Sequence, residues 1–506
     1  MPNHKIRSLA EVAEIVASLK AESKTVVHCH GVFDLLHPGH IRHLEAARRF
    51  GDVLVVTLTG DDHVNKGPQR PVFNQNLRAE SIAALQCVDL VAVNNAATAV
   101  QAIQKIRPNF YVKGSEYADS AADLTGKIDD EAKAAIEVGG EIRFTDDITF
   151  SSTRLLNSHF PVYPEAADTF LRVMRQRYRA DDVIARLQQL RELKVLVVGD
   201  AIIDQYNYCT PLGMSSKDVF LVTRYRDSEM FAGGALGAAN HLAGFCEAVE
   251  VVTCLGTEDS MEDFVRSHLR PNVQPTFFRS PGRTVLKSRF VEPEFFKKMF
   301  EVCYLEAGEA PGYVEGQMCN YLASILCRYD LVVTADFGHG AIGKRTIELL
   351  CERAPFLAVN AQTNSANAGF NLITKYPRAD YICIDEPELR LAAADRLGEV
   401  STLITDMASR LRCPKVSITR GAKGAVTYSD GDGFCEVPVF SNKVVDTVGA
   451  GDAYLSVTAP CVAKGFPMDL VGLIGNTVGA LAVQIIGNRS PVDPVSLYKS
   501  LTAMLG

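Results

Sequence analysis

The sequence predicts an α/β protein made of two parallel-sheet domains joined by a helical segment. Three observations carry this. Apolar strand-like runs alternate with amphipathic helical stretches through residues 25–156. The alternation restarts at residue 194, after a charged segment marked by prolines. The 506 residues are 47% hydrophobic and 22% charged, so a core can be buried almost everywhere. Alternation of this kind packs helices on both faces of a parallel sheet.

The first half opens on a helix, Ser8 to Lys20, with Leu9, Val12, Ile15, Val16 and Leu19 at helical spacing. A strand follows at Thr25 to His30, then the turn from Gly31 to His40, which leads into a helix through Phe50. A strand at Val53–Leu58, a Gly/Pro-rich loop at Gly60–Arg70 and a helix around Asn76–Gln86 come next. Further strands are predicted at Leu90–Val93 and Phe110–Lys113. Pro161 and Pro164 break the pattern, and a charged helix over Ala167–Leu190 reads as a linker. The expected division is residues 1–160, a linker at 161–193, and 194–506. The second half opens on the strand Lys194–Asp200. It continues with strands at Val251–Cys254, Leu331–Ala335, Leu357–Asn360, Tyr381–Ile384 and Lys415–Thr419.

Lys+Arg minus Asp+Glu is 52 − 60 = −8, which argues against nucleic acid as a partner. The 13 cysteines form no C-x-x-C pair, and no apolar segment follows the polar start of the chain. Reduced thiols and no export signal predict a cytoplasmic protein. The uncharged stretch Leu470–Gly487 is interrupted by Asn476, Thr477 and Gln484, so it reads as a buried core helix and not a membrane span.

In the first half, Gly31-x-Phe33-Asp34-x-x-His37-x-Gly39-His40 falls where a strand meets a helix. Ligands of open α/β sheets bind there, beside the N–H groups of the helix start. Two imidazoles at such a turn suit the charge that develops when an α-phosphate is attacked. The motif resembles the cytidylyltransferase-like nucleotidyltransferases, whose fold is Rossmann-like. The resemblance implies catalytic roles for His37 and His40 and nucleotide contacts from Gly31, Phe33 and Asp34. It extends to Lys66 and Arg78 as phosphate contacts, to Lys113 in a Lys-Gly segment, and to Ser151, Ser152 and Thr153 at a helix start that holds the triphosphate. A metal cluster of His28, His30, His37, His40 and His43 lacks a completing carboxylate or cysteine. A tRNA-synthetase role would need a partner motif, of which Met214-Ser215-Ser216-Lys217 is a weak echo in the other half.

In the second half, Asp446-Thr447-Val448-Gly449-Ala450-Gly451-Asp452 lets backbone approach a phosphate closely before a helix. An Asp at that helix start can accept the proton of an attacking hydroxyl. The run resembles the ribokinase-like (PfkB) sugar kinases. By that resemblance Asp452 is the catalytic base, and Gly449, Ala450 and Gly451 form the hole for the transferred phosphoryl group. It further implies sugar contacts from Asp204, Gly233, Gly234, Asn240, Arg289 and Asn360. ATP contacts would come from Thr419, Gly421 and Gly424, and Glu388 would serve the magnesium. Gly338-His339-Gly340-Ala341-Ile342-Gly343-Lys344-Arg345 nearly matches a P-loop, but Arg345 stands where the magnesium-binding hydroxyl belongs.

Together the halves predict a bifunctional enzyme of nucleotide-sugar synthesis. One half would phosphorylate a heptose-like sugar or sugar phosphate with ATP. The other would join a sugar phosphate to a nucleotide from ATP or CTP and release pyrophosphate. The pairing resembles the bifunctional heptose-phosphate kinase/adenylyltransferases, with the domain order reversed. Both halves would handle triphosphates, so Mg2+ is expected at both sites; the resemblance implies a homodimer, and no nucleic-acid or membrane partner is expected. Activation of an alditol phosphate with CTP, and a non-catalytic nucleotide or sugar sensor, are the alternatives.

Overall fold

Val53–Thr59 is buried along its whole length, and so is Leu331–Asp336. Runs of this kind belong in sheets covered on both faces. The computed structural model describes residues 4–64, 71–114, 127–145, 163–305, 308–441 and 443–506. It divides the chain into two units, Met1–Val162 and Tyr163–Leu505.

The first unit holds a parallel sheet of β1 (Val26–Gly31), β2 (Val53–Thr59), β3 (Leu90–Asn94), β4 (Phe110–Gly114) and β5 (Glu141–Thr145), in the order β3-β2-β1-β4-β5. Its first helix, Leu9–Ala21, starts on a reciprocal cap between Ser8 and Glu11. The helix Pro38–Arg48 starts on His37, with proline at its first position, where no donor is lost. Val27, Leu54, Val56 and Leu58 pack with Leu44 and Ile82 in one face's core. The chain moves one way from β1 to β2 and β3, and later returns on the other side to β4 and β5. The switch point therefore lies between the carboxyl ends of β1 and β4.

The second unit begins with strands β6 (Lys194–Gly199), β7 (Ala201–Met214), β8 (Leu221–Gly234), β9 (Ala248–Gly256) and β10 (Val273–Ser280). Next come β11 (Val285–Glu292), β12 (Lys297–Tyr304), β13 (Leu331–Asp336), β14 (Leu357–Ala361) and β15 (Tyr381–Asp385). It ends with β16 (Lys415–Thr419), β17 (Ala425–Ser429) and β18 (Gly433–Val437). Nine strands form one sheet, β10-β9-β6-β13-β14-β15-β16-β17-β18, parallel as far as β16. Its switch point lies between β6 and β13. A second, four-stranded sheet, β12-β11-β7-β8, pairs β7 with β11 in parallel and is otherwise antiparallel. This small sheet goes beyond the sequence reading, which has only parallel strands.

The segment read as a linker helix is two helices, Glu165–Arg177 and Ala180–Gln188, inside the second unit. Apolar Leu171, Met174, Val183 and Leu187 are buried there, and Arg175 Nε donates to the Met504 carbonyl at 2.7 Å. The uncharged stretch near the end of the chain is largely the buried helix Met468–Ala482. Among the described residues no helix is long and apolar enough to cross a membrane. No cysteine is in a disulfide.

Candidate active sites

In the first unit, the carboxyl end of β1 delivers Gly31 and the turn after it. Phe33 has a left-handed backbone (φ 48°), and its ring meets His40 edge-on, with centroids 5.2 Å apart. His37 and His40 stack at 3.9 Å. His37 Nδ1 accepts the Gly39 N–H at 3.1 Å, so a neutral ring carries its proton on Nε2. The two imidazoles thus stand together at the start of a helix beside the switch point. Lys113 reaches the same edge from β4, ion-paired with Glu131 at 2.9 Å.

Asp34 and Arg78, expected at the nucleotide, are spent on the protein itself. Asp34 is buried and accepts the N–H groups of Val72 and Phe73 at 2.7 and 3.2 Å. The Arg78 side chain is fully buried, and its guanidinium donates to the carbonyls of Phe73, Val32 and Thr59 and to Asp61. Both residues brace the loops around the histidine turn, satisfying backbone groups that have no ladder partner. Arg78→Leu is therefore expected to destabilise this unit by about 3 kcal/mol, because three carbonyls and a carboxylate lose their donor. Urea unfolding of the variant checks this; a loss under about 0.5 kcal/mol contradicts the bracing role. Lys66, Ser151, Ser152 and Thr153 lie outside the described residues.

Three other histidines of this unit contact threonine hydroxyls. His28 Nε2 and His30 Nδ1 each lie 2.8 Å from Thr57 Oγ1, and His43 Nδ1 lies 2.8 Å from Thr145 Oγ1. Burial, with the neighbouring His30, lowers the His28 pKa to about 3, so it is neutral. Among the described residues no group of three or more His, Cys, Asp or Glu side chains is arranged to hold a metal.

In the second unit, the helix Ala450–Ala463 starts on Gly449, whose φ of 82° a residue with a side chain would resist. Ala450, Gly451 and Asp452 follow as its first turn, where N–H groups lack intrahelical partners. Burial, and then the negative Asp204, raise the Asp452 pKa to about 7, against the pull of Lys287. Asp204 lies on β7, buried and ion-paired with Arg289 of β11. Arg289 also meets Glu301 at 2.7 Å. A Cβ on Gly233 would lie 2.2 Å from Asp204 Oδ2, so any larger residue there would displace this carboxylate. Gly234 ends β8 and caps the next helix, Ala235–Leu242.

Glu388 sits in the first turn of the helix Glu386–Ala393, in a reciprocal cap with Asp385. Its other oxygen accepts the Thr363 N–H at 3.0 Å. Burial, Asp385 and Asp452 raise its pKa to about 8. An oxygen-only pair that repels itself when ionised suits a hard divalent cation, with water and phosphate completing the shell. Thr419 ends β16, Gly421 lies in the short turn that follows, and Gly424 backs onto the Val437 carbonyl.

Two expected sugar contacts also bond within the protein itself. Asn240 donates to the His268 carbonyl at 2.8 Å and accepts the Arg270 N–H at 2.9 Å, tying the helix Ala235–Leu242 to the end of the helix Glu262–His268. Asn360 Nδ2 donates across to the Cys383 carbonyl at 2.9 Å. Two further residues shape the backbone nearby. A Cβ on Gly449 would lie 2.5 Å from Asn488 Oδ1, so Asn488 backs this turn. Asp200 accepts the N–H groups of Phe337, His339 and Ala341, winding the near-P-loop around one carboxylate. A cavity of about 370 Å³ at the carboxyl ends of β6 and β13 is lined by Asp200, Arg283 and His339, among others.

Comparisons with known proteins agree with this division. Residues 192–494 match the pfkB family carbohydrate kinases, and residues 28–157 match the cytidylyltransferase-like family. Over 115 residues the chain is 44% identical to "Bifunctional protein HldE" of Geobacter sulfurreducens, covering 22% of this chain and 24% of that protein. Over 154 residues it is 39% identical to the protein of the same name in Methylococcus capsulatus, covering 30% and 31%. The matched segments thus span under a third of these relatives' length. Among solved structures, phosphofructokinase-2 of Escherichia coli in complex with substrates and products superimposes with a TM-score of 0.50 at 13% identity. It covers 61% of this chain and 99% of that one, a likeness of fold.

Proposed function

Because this chain belongs to the pfkB family of carbohydrate kinases, we propose that its second unit phosphorylates a heptose-like sugar or sugar phosphate with ATP. The first unit would transfer a nucleotidyl group, from ATP or CTP, to a sugar phosphate. The observation that carries the reading is that each unit presents a helix start suited to an anion: His37 and His40 stand at one, Gly449 to Asp452 at the other. We read residues 1–160 as the transferase and 194–506 as the kinase.

In the kinase, Asp204 and Gly233 would position the sugar, and Asp452 would accept the proton of its attacking hydroxyl. The new bond joins that oxygen to the γ-phosphorus; the bond to the β-phosphate oxygen breaks and ADP leaves. N–H groups of residues 449–451 would stabilise the charge on the transferred group. Glu388 and Asp385 would hold a magnesium ion, which neutralises phosphate charge when bound. In the transferase, a sugar-phosphate oxygen would attack the α-phosphorus and pyrophosphate would leave, with His37 and His40 donating to the developing charge.

The pH profile tests the base. Asp452 works only ionised, and its pKa is raised to about 7. Phosphoryl transfer is therefore expected to be full above pH 7 and to fall about tenfold per unit below it. Measured as ADP formation over a panel of sugar phosphates, a flat profile between about pH 5.5 and 8 rules out Asp452 as the base. A cytoplasmic homodimer is part of the proposal, and light scattering of the full chain tests the assembly.

A further inference from the structure

We propose that the Asp446 carboxylate couples the small sheet to the phosphoryl-binding turn, with Lys298 and Tyr206 as the positioning residues that hold it. Asp446 stands three residues before Gly449, and its side chain is fully buried. Oδ2 accepts the Tyr206 hydroxyl at 2.7 Å and the Gly487 N–H at 2.8 Å. Oδ1 accepts the Lys298 ammonium and, at 3.1 Å, the Val448 N–H. Two of these donors are backbone groups at the turn and at the segment beside Asn488. The other two come from the small sheet, Tyr206 on β7 and Lys298 on β12, with β11 between them.

The arrangement keeps the carboxyl charged. Burial alone would raise its pKa, but the donors from Lys298 and Tyr206 outweigh this and hold it below the usual carboxylate range. The Tyr206 ring is itself fixed. It meets Phe231 edge-on at 5.2 Å, packs with Val291, and has the Lys298 ammonium 5.7 Å above its face. The small sheet also carries Asp204 and Arg289. The strands that would engage the sugar are therefore tied, through one buried carboxylate, to the turn that would receive the phosphoryl group. Misplacement of about 1 Å in such a turn costs on the order of 100-fold in rate.

This inference rests on the kinase reading above, so the experiment includes Asp452→Asn as a reference. Full-length Lys298→Met, Lys298→Arg and Tyr206→Phe would be assayed by ADP formation with a sugar phosphate that the wild-type chain turns over. Lys298→Met is expected to lower kcat about 10- to 100-fold, with KM for ATP and sugar phosphate changed less than about threefold. Lys298→Arg restores most of the loss, and pyrophosphate release by the first unit is unchanged. Tyr206→Phe keeps the ion pair and is expected to lower kcat about 3- to 10-fold. It decides the matter if Lys298→Met does not fold. A folded Lys298→Met with kcat within about twofold of wild type overturns the coupling, as does a loss seen only in KM. If Tyr206→Phe has to decide, kcat within about twofold of wild type overturns it in the same way. Full activity in Asp452→Asn would instead overturn the kinase reading beneath it.

Discussion

Asp452→Asn is expected to lower phosphoryl transfer by about 10²- to 10⁴-fold while ATP binding stays near wild type. The amide keeps the shape of the side chain and leaves the helix start intact, so the N–H groups around Gly449 still meet the phosphates. It cannot take a proton, and the hydroxyl must then attack without a base. The surroundings of Asp452 suit proton transfer. Burial and Asp204 raise its pKa to about 7, poised between accepting and releasing. Kinase turnover within about threefold of wild type would reject the assignment. Asp452 belongs to the second unit, so nucleotidyl transfer by the first is expected to continue.

His37→Ala and His40→Ala are each expected to lower pyrophosphate-releasing transfer by about 10²- to 10³-fold, or roughly 3–4 kcal/mol. Attack on the α-phosphate loads charge onto its oxygens and onto the departing pyrophosphate. His37 is already oriented, because Nδ1 accepts the Gly39 N–H and the ring stacks on His40. His40 is held between the His37 and Phe33 rings. Donors fixed in this way stabilise charge without reorganising. Ground-state nucleotide affinity should change less than turnover, because the N–H groups at the start of the helix Pro38–Arg48 remain. Titration of nucleotide binding beside steady-state turnover separates the two. Normal turnover of both variants with ATP and with CTP would make the histidines structural.

The parallel strands were readable because burial on both faces writes itself as unbroken apolar runs, as in Val53–Thr59 and Leu331–Asp336. The small sheet was not, because its strands mix environments. β7 is mostly buried at Ala201–Cys209 and exposed at Pro211–Met214, and β8 carries Arg224, Arg226, Asp227 and Glu229. The turns at His37–His40 and Gly449–Asp452 were legible as helix starts, because a tight turn into a helix demands small residues and caps at fixed spacing. Side-chain direction was not. A motif places Arg78 or Asn240 in the chain, but which carbonyls need a donor is settled only by loops that meet in the fold. The partnership of Asp446 with Lys298 spans 148 residues, and no local pattern announces it.

The proposed function places two independent phosphate chemistries in the two units of one chain. Its most direct test is a crossed assay of ADP formation and pyrophosphate release. Wild type, Asp452→Asn and His37→Ala would be measured as full-length chains with the same panel of sugar phosphates. Asp452→Asn is expected to lose ADP formation alone and His37→Ala to lose pyrophosphate release alone, each by about 100-fold or more. A variant that loses both activities together, or neither, contradicts the claim.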